Sequence, residues 1–123
     1  MFQRVETTFL LLLIVQLSAC AVSGGHGLEF KTGYVVVKAT QLPVYTFYQD
    51  RPGISRCNAT CLRFFKPVEA TEESGGDMAF KRSDGINQAQ YLGRPLYTSV
   101  LDAPGDTPKA HRIHDGWMFL GSL

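Results

Sequence analysis

A mainly β fold is predicted by this sequence: a small antiparallel β domain built from two tandem repeat units, with one short helix. Three observations predict it. Pro43, Tyr45, Thr46, Asp50, Pro52 and Gly53 recur 52 residues later as Pro95, Tyr97, Thr98, Asp102, Pro104 and Gly105, six identities in eleven positions. Each copy is a short run rich in β-branched and aromatic residues that ends in turn residues. The length of 123 residues, 45% of them hydrophobic, fits one domain with one modest core, so each unit needs its partner to bury an apolar face.

The chain opens on an expected export signal at 1–19. Arg4 and Glu6 lie in a short charged start, Phe9 to Val15 are uniformly apolar, and Leu17-Ser18-Ala19-Cys20 follows. Seven apolar residues fall far short of the ~20 that cross a bilayer, so cleavage is favoured over an uncleaved anchor. The tetrapeptide resembles the lipobox of bacterial lipoproteins, whose cysteine takes a diacylglyceryl group and becomes the new N-terminus. Two or three acyl chains, palmitate for example, anchor stably where one is marginal. Ala21, which is not Asp, is similar to the outer-membrane sorting type. The partner implied is therefore a membrane, reached through the N-terminal lipid at Cys20. Residues 20–27 then read as a flexible tether containing Ser23-Gly24-Gly25-His26-Gly27.

The β domain spans 28–123, with units at about 33–67 and 78–120. In the first unit, Gly33 to Thr40 holds Val35-Val36-Val37, and Val44 to Tyr48 forms the next strand. The strand ends at Asp50-Arg51-Pro52-Gly53, where Pro fixes φ and Gly accepts the positive φ of a type II turn. Ser55 is placed to cap a short helix over Asn58 to Phe65, stopped by Pro67. Glu69 to Asp77 is a polar, Gly-rich linker without the alternating ligands of a calcium loop. In the second unit, Met78 to Arg82 and Asn87 to Leu92 flank the hairpin signal Ser83-Asp84-Gly85. Gly93-Arg94 turns into Leu96 to Leu101, Asp102-Ala103-Pro104-Gly105 repeats the turn, and Trp117 to Leu120 is a last strand.

Several of these pieces together resemble a family, the secreted repeat of unknown function, described as predicted bacterial lipoproteins with a Tyr-x-aromatic-x-x-Asp motif. They are Tyr45-Thr46-Phe47-Tyr48-Gln49-Asp50, Cys57-x3-Cys61, Lys81-Arg82-Ser83-Asp84-Gly85, Tyr91-x-Gly93-Arg94-Pro95-Leu96-Tyr97, Asp102-x-Pro104-Gly105-Asp106 and Gly116-Trp117. The likeness covers about residues 33 to 120. It implies an envelope lipoprotein, on the periplasmic or surface face of the outer membrane in a Gram-negative cell, and brings no reaction. Phe65 sits where the family usually has Trp, Lys66-Pro67 replaces Pro-Pro, and Gln41 occupies a position often filled by Gly. Ser99 takes the place of the second copy's motif aromatic, so only the first copy is complete.

The motif residues Tyr45, Phe47, Asp50, Tyr97 and Asp102 have two readings. As chemistry, Tyr plus Asp is a hydrogen-bonding or acid/base pair; as structure, the aromatics pack and each carboxylate accepts N–H groups of its following turn. The structural reading is favoured, because Asp-x-Pro-Gly turn chemistry accounts for both copies without a ligand. With Cys20 lipidated, Cys57 and Cys61 remain as an even pair in an oxidising compartment, and a disulfide is the default. Residues four apart inside a regular helix keep Cβ atoms ~5 to 6 Å apart, beyond the ~3.8 Å a disulfide wants, so Cys57 has to precede the first turn. The alternative joins Cys57, Cys61, His111 and His114 into a zinc site of two thiolates and two imidazoles.

With 12 Lys+Arg against 11 Asp+Glu and no basic run, a nucleic-acid partner is not expected. Gly-x-Ser-x-Gly, His-Glu-x-x-His and Walker motifs are absent, so an enzyme is not expected either, and no cofactor is called for. The expected function is a non-catalytic binding or structural module with an envelope protein as its partner. Two alternatives stand beside it: a metal or redox protein using the Cys and His residues, and an inhibitor of an envelope-directed enzyme such as a lysozyme.

Overall fold

The computed structural model describes residues 27–70 and 78–123; the expected signal peptide, Cys20, nearly all of the tether and most of the acidic linker lie outside the described residues. Among the described residues the chain is mainly β. One three-stranded antiparallel sheet is β1 (Leu28–Lys31), β2 (Tyr34–Val37) and β3 (Leu42–Pro43); another is β6 (Met78–Lys81), β7 (Asn87–Tyr91) and β8 (Arg94–Pro95). The strands that follow each of these, β4 (Tyr45–Phe47) and β5 (Phe65–Pro67) after the first and β9 (Tyr97–Ser99) and β10 (Trp117–Phe119) after the second, form a four-stranded antiparallel sheet in the order β10-β4-β9-β5. Every expected strand is present in shortened form, and β1, β3, β5 and β8 are additional.

Turn chemistry behaves as the residues dictate. Gly53 and Gly105 take φ of 71° and 88°, and the two Pro-Gly turns close through Ile54 N–H on the Arg51 carbonyl (2.8 Å) and Asp106 N–H on the Ala103 carbonyl (2.9 Å). Between β6 and β7, Gly85 N–H and Arg82 N–H close a three-residue loop, with Gly85 in the left-handed region at φ 89°. Gln41, where the resembled family often has Gly, also holds a positive φ of 61°. Its amide offsets that strain with bonds to Glu29 Oε1 and the Lys38 carbonyl, both 3.0 Å.

The expected helix over Asn58 to Phe65 is corrected to a 3-10 turn at Ala59–Arg63, and Phe65 to Pro67 is strand rather than helix end. A segment this short cannot sustain an α-helix alone. Its N–H groups reach back three residues, Cys61 to Asn58 and Phe64 to Cys61, and Phe65 is then drawn into the central sheet opposite Ser99. Ser55 does not cap it; the residue ahead of the turn is Asn58, which makes no side-chain cap bond. A second 3-10 turn, Ala110–Arg112, was not anticipated.

The backbone hydrogen bonds recur at the interval of the sequence repeat. Leu120 N–H binds the Val44 carbonyl as Val68 N–H binds that of Leu96, and Tyr48 N–H binds Gly116 as Val100 N–H binds Phe64. The first two bonds each close into a triangle, through Val44 N–H on Val35 and Val35 N–H on Leu120 in one and through Leu96 N–H on Ala89 and Ala89 N–H on Val68 in the other, Val35 and Ala89 being 54 rather than 52 residues apart. At the centre Tyr45 of β4 lies directly opposite Tyr97 of β9.

Strand alternation sends side chains into two cores. Leu28, Val35, Val44, Val68, Ala89, Leu96 and Leu120 make an aliphatic cluster. Tyr45, Cys57, Phe65, Tyr97, Ala110 and Trp117 make an aromatic one. In the aromatic core Phe65 and Trp117 stack with centroids 3.6 Å apart and planes within 5°, while Tyr45 meets Phe65 and Tyr97 meets Trp117 edge-on. Phe65 thus stacks on Trp117, the residue 52 positions further along the chain.

Candidate functional site

The polar groups of the motif lie at the wall of the aromatic core, and they are paired crosswise. Tyr45 donates its hydroxyl proton to Asp102 Oδ2 at 2.6 Å, and Tyr97 donates to Asp50 Oδ2 at 2.7 Å. Each tyrosine therefore reaches the aspartate of the other half. The register that puts Tyr45 beside Tyr97 in antiparallel strands makes this exchange possible. Asp50 Oδ1 accepts the Arg56 N–H at 2.7 Å, and Asp102 Oδ1 accepts that of Lys109 at 3.3 Å, so both carboxylates also hold the chain after their turn. The Tyr45 oxygen accepts the N–H groups of Lys109 and Ala110 as well. A Tyr–Asp hydrogen-bonded pair is present, but it joins each tyrosine to the distant aspartate rather than to the one five residues on, and the N–H groups that the carboxylates accept lie beyond the Asp-x-Pro-Gly turns rather than within them.

Burial governs the ionisation of these groups. Both tyrosine rings are fully buried, and desolvation, reinforced by the carboxylate each one faces, pushes both phenols above their ordinary range so that they stay protonated. Asp50 is raised above 3.8, chiefly by burial, against the opposing bonds from Tyr97 and the Arg56 N–H. Asp84 and Asp106 are lowered, chiefly by the N–H groups of Ile86 and Ala103 respectively. Folding thus raises the proton affinity of Asp50, whose stabilising contribution is greatest below 3.8 and falls as pH rises through its native pKa. Asp84 and Asp106 run the other way: their contribution is present above 3.8 and is lost as pH falls through their native values. In a carboxyl carbon NMR titration, Asp50 is expected to have the highest midpoint of the three, and a midpoint below that of Asp84 would defeat the burial argument.

A buried polar network centred on Arg82 ties Ser55 and Cys57 to the segment after residue 78. Arg82 is 7% exposed, and its guanidinium bonds Ser55 Oγ (2.7 Å), Gln88 Oε1 (2.9 Å), the Cys57 carbonyl (2.7 Å) and the Asp84 carboxylate (3.0 Å). Gln88, also buried, passes its amide to the Leu96 carbonyl. Ser55 Oγ meets the Tyr97 hydroxyl as well. Because the tyrosine proton is committed to Asp50, the serine donates there, and it accepts from Arg82 and from the Cys57 N–H. A chain of bonds so runs Arg82, Ser55, Tyr97, Asp50. Sequence reasoning quoted Arg82 in its turn and Ser55 as a cap, and missed that they meet; no signal in the sequence pairs them.

Cys57 and Cys61 are joined as a disulfide with Cα atoms 5.2 Å apart, and Cys57 precedes the 3-10 turn, as the spacing argument requires. The sulfurs are bonded to each other, leaving no thiolate pair for the alternative metal shell. His114 packs on Phe64 and Phe65, and His111 sits edge-on to Phe119 with its Nδ1 buried and unbonded. Among the described residues no three His, Cys, Asp or Glu side chains stand together as a metal site. No family model, curated protein or solved structure matches the chain.

Proposed function

We propose that the chain is a non-catalytic lipoprotein module of the bacterial envelope, two tandem copies of one β unit closed on each other and held at a membrane by acylated Cys20. The observation that carries the non-catalytic reading is the reciprocal Tyr–Asp pairing. An acid/base pair has to reach a substrate, whereas these hydroxyls and carboxylates are turned toward each other and toward backbone N–H groups, behind rings with no exposure. The motif is a latch between halves. The duplication is supported by the hydrogen bonds that recur at the 52-residue interval and by the matched places of Phe65 and Trp117. The address is supported by Leu17-Ser18-Ala19-Cys20 and by a disulfide suited to an oxidising compartment, and the resemblance to the secreted repeat family agrees with it.

Two measurements test the reading. The intact mass of protein made with its signal is expected to show cleavage before Cys20, an added lipid and the loss of two hydrogens at Cys57 and Cys61, and Cys20→Ser is expected to leave the membrane fraction. A Cys20→Ser chain that stays membrane-bound would overturn the anchor. For the latch, Tyr45→Phe and Asp102→Asn are each expected to cost about 1 to 3 kcal/mol of stability, and the double variant less than their sum. Unchanged melting of both single variants would return the pair to a functional role.

A further inference from the structure

The two Pro-Gly turns share one skeleton but not one surface. After β4 and after β9 the chain makes the same bonds: Asp50 N–H to Phe47 and Asp102 N–H to Ser99, then the closures at Arg51 and at Ala103. What this skeleton needs is Asp, Pro and Gly, and both turns have them. The remaining positions differ in kind. Tyr48, Gln49 and Arg51 of the first turn stand where the second has Val100, Leu101 and Ala103. Arg56, whose N–H binds Asp50, matches Lys109, whose N–H binds Asp102; the Lys109 ammonium is neutralised by Asp106 at 3.2 Å, and among the described residues Arg56 and Arg51 form no ion pair. The fold therefore does not account for the polar set.

Tyr48, Gln49, Arg51 and Arg56 line a concave surface of about 250 Å³. The Arg51 guanidinium is braced by one bond to its neighbour's carbonyl, and the Gln49 amide donates to the Tyr48 oxygen, which aligns these groups and leaves further N–H donors for a ligand. Asp50, beside these arginines, is half-buried and satisfied from within by Tyr97 and the Arg56 N–H, and among the described residues no carboxylate forms an ion pair with either guanidinium. Two guanidinium forks with an amide and a phenol beside them present more donors than a carboxylate has oxygens, and they suit a phosphoryl group. We propose that this surface binds a phosphate group, carried either on a lipid headgroup or on a soluble phosphate ester. The proposal goes beyond the latch and does not depend on the anchor.

The test is calorimetric titration of the full chain in a nonionic detergent with two probes, inorganic phosphate and a short-chain phosphatidylglycerol. Arg51→Ala/Arg56→Ala is compared with Arg63→Ala/Lys66→Ala, a double variant of equal charge at exposed positions in and beside β5, with melting curves to confirm folding. The expected result is binding by the wild type that weakens with added salt, falls about tenfold or more in the first double variant and persists in the second. Binding of both probes assigns a soluble phosphate ester, and binding of the lipid alone assigns a headgroup; both support the site. Absence of binding to either probe, or an equal loss in the two double variants, overturns it.

Discussion

Trp117→Ala is expected to lower the stability of the domain by about 3 to 5 kcal/mol, a large part of the 5 to 15 kcal/mol that a small domain commonly holds. The indole is 7% exposed and lies between two rings, Phe65 at 3.6 Å and Phe47 at 4.5 Å, with Tyr97 meeting it edge-on at 4.8 Å. Truncation leaves a void that the neighbours cannot close, because Phe65 and Phe47 are fixed in strands on opposite sides of it. Tyr97 would lose the wall that positions its hydroxyl toward Asp50, so the latch of the first half weakens with the core. Trp117→Phe keeps a ring at the position and is expected to cost less than half as much. Denaturant unfolding followed by circular dichroism measures both, since Trp117 is the one tryptophan of the chain. Equal stability of the alanine and phenylalanine variants would mean that stacking at this position contributes little.

The sequence shows turns well and partners across the fold poorly, and the reason is range. Asp-x-Pro-Gly and Ser83-Asp84-Gly85 announce their geometry because a positive φ at Gly53, Gly105 or Gly85 is a property of one residue. The strands around them follow from composition. Strand β5 was hidden because Cys57, Cys61, Leu62 and Phe65 have helical spacing, and only the opposing Ser99 and Trp117 decide that Phe65 is extended. The crosswise latch was hidden more deeply. Tyr45 and Asp50 are five residues apart and read as partners, yet the antiparallel pairing of β4 with β9 gives each tyrosine to the other half's aspartate. No local pattern encodes that exchange. It follows from the pairing of two strands 52 residues apart, which neither strand's own residues state.

Arg82 makes the same point with a larger consequence: in sequence it is one charge in a polar turn, the kind of residue that reads as solvated, and in the fold it is a buried hub that joins Ser55 and Cys57 to Gln88. Arg82→Met is expected to cost about 3 to 5 kcal/mol, because a single change leaves Gln88 Oε1 and the Cys57 carbonyl facing an apolar side chain inside the protein. Ser55 would lose the donor that turns its own proton toward Tyr97, so the penalty spreads to the Tyr97–Asp50 bond. Arg82→Lys is expected to recover little, since one ammonium cannot reach acceptors arranged around a planar fork. Asp84→Asn should lower the melting temperature only slightly, as that carboxylate is 35% exposed and its pairing is shared with water. The order Met and Lys far below Asn in melting temperature, by more than about 10 °C, identifies the hydrogen-bond hub as the source of the stabilisation. If Arg82→Met melts with the wild type, the buried polar network is dispensable, and the aromatic core and the disulfide hold this region together without it.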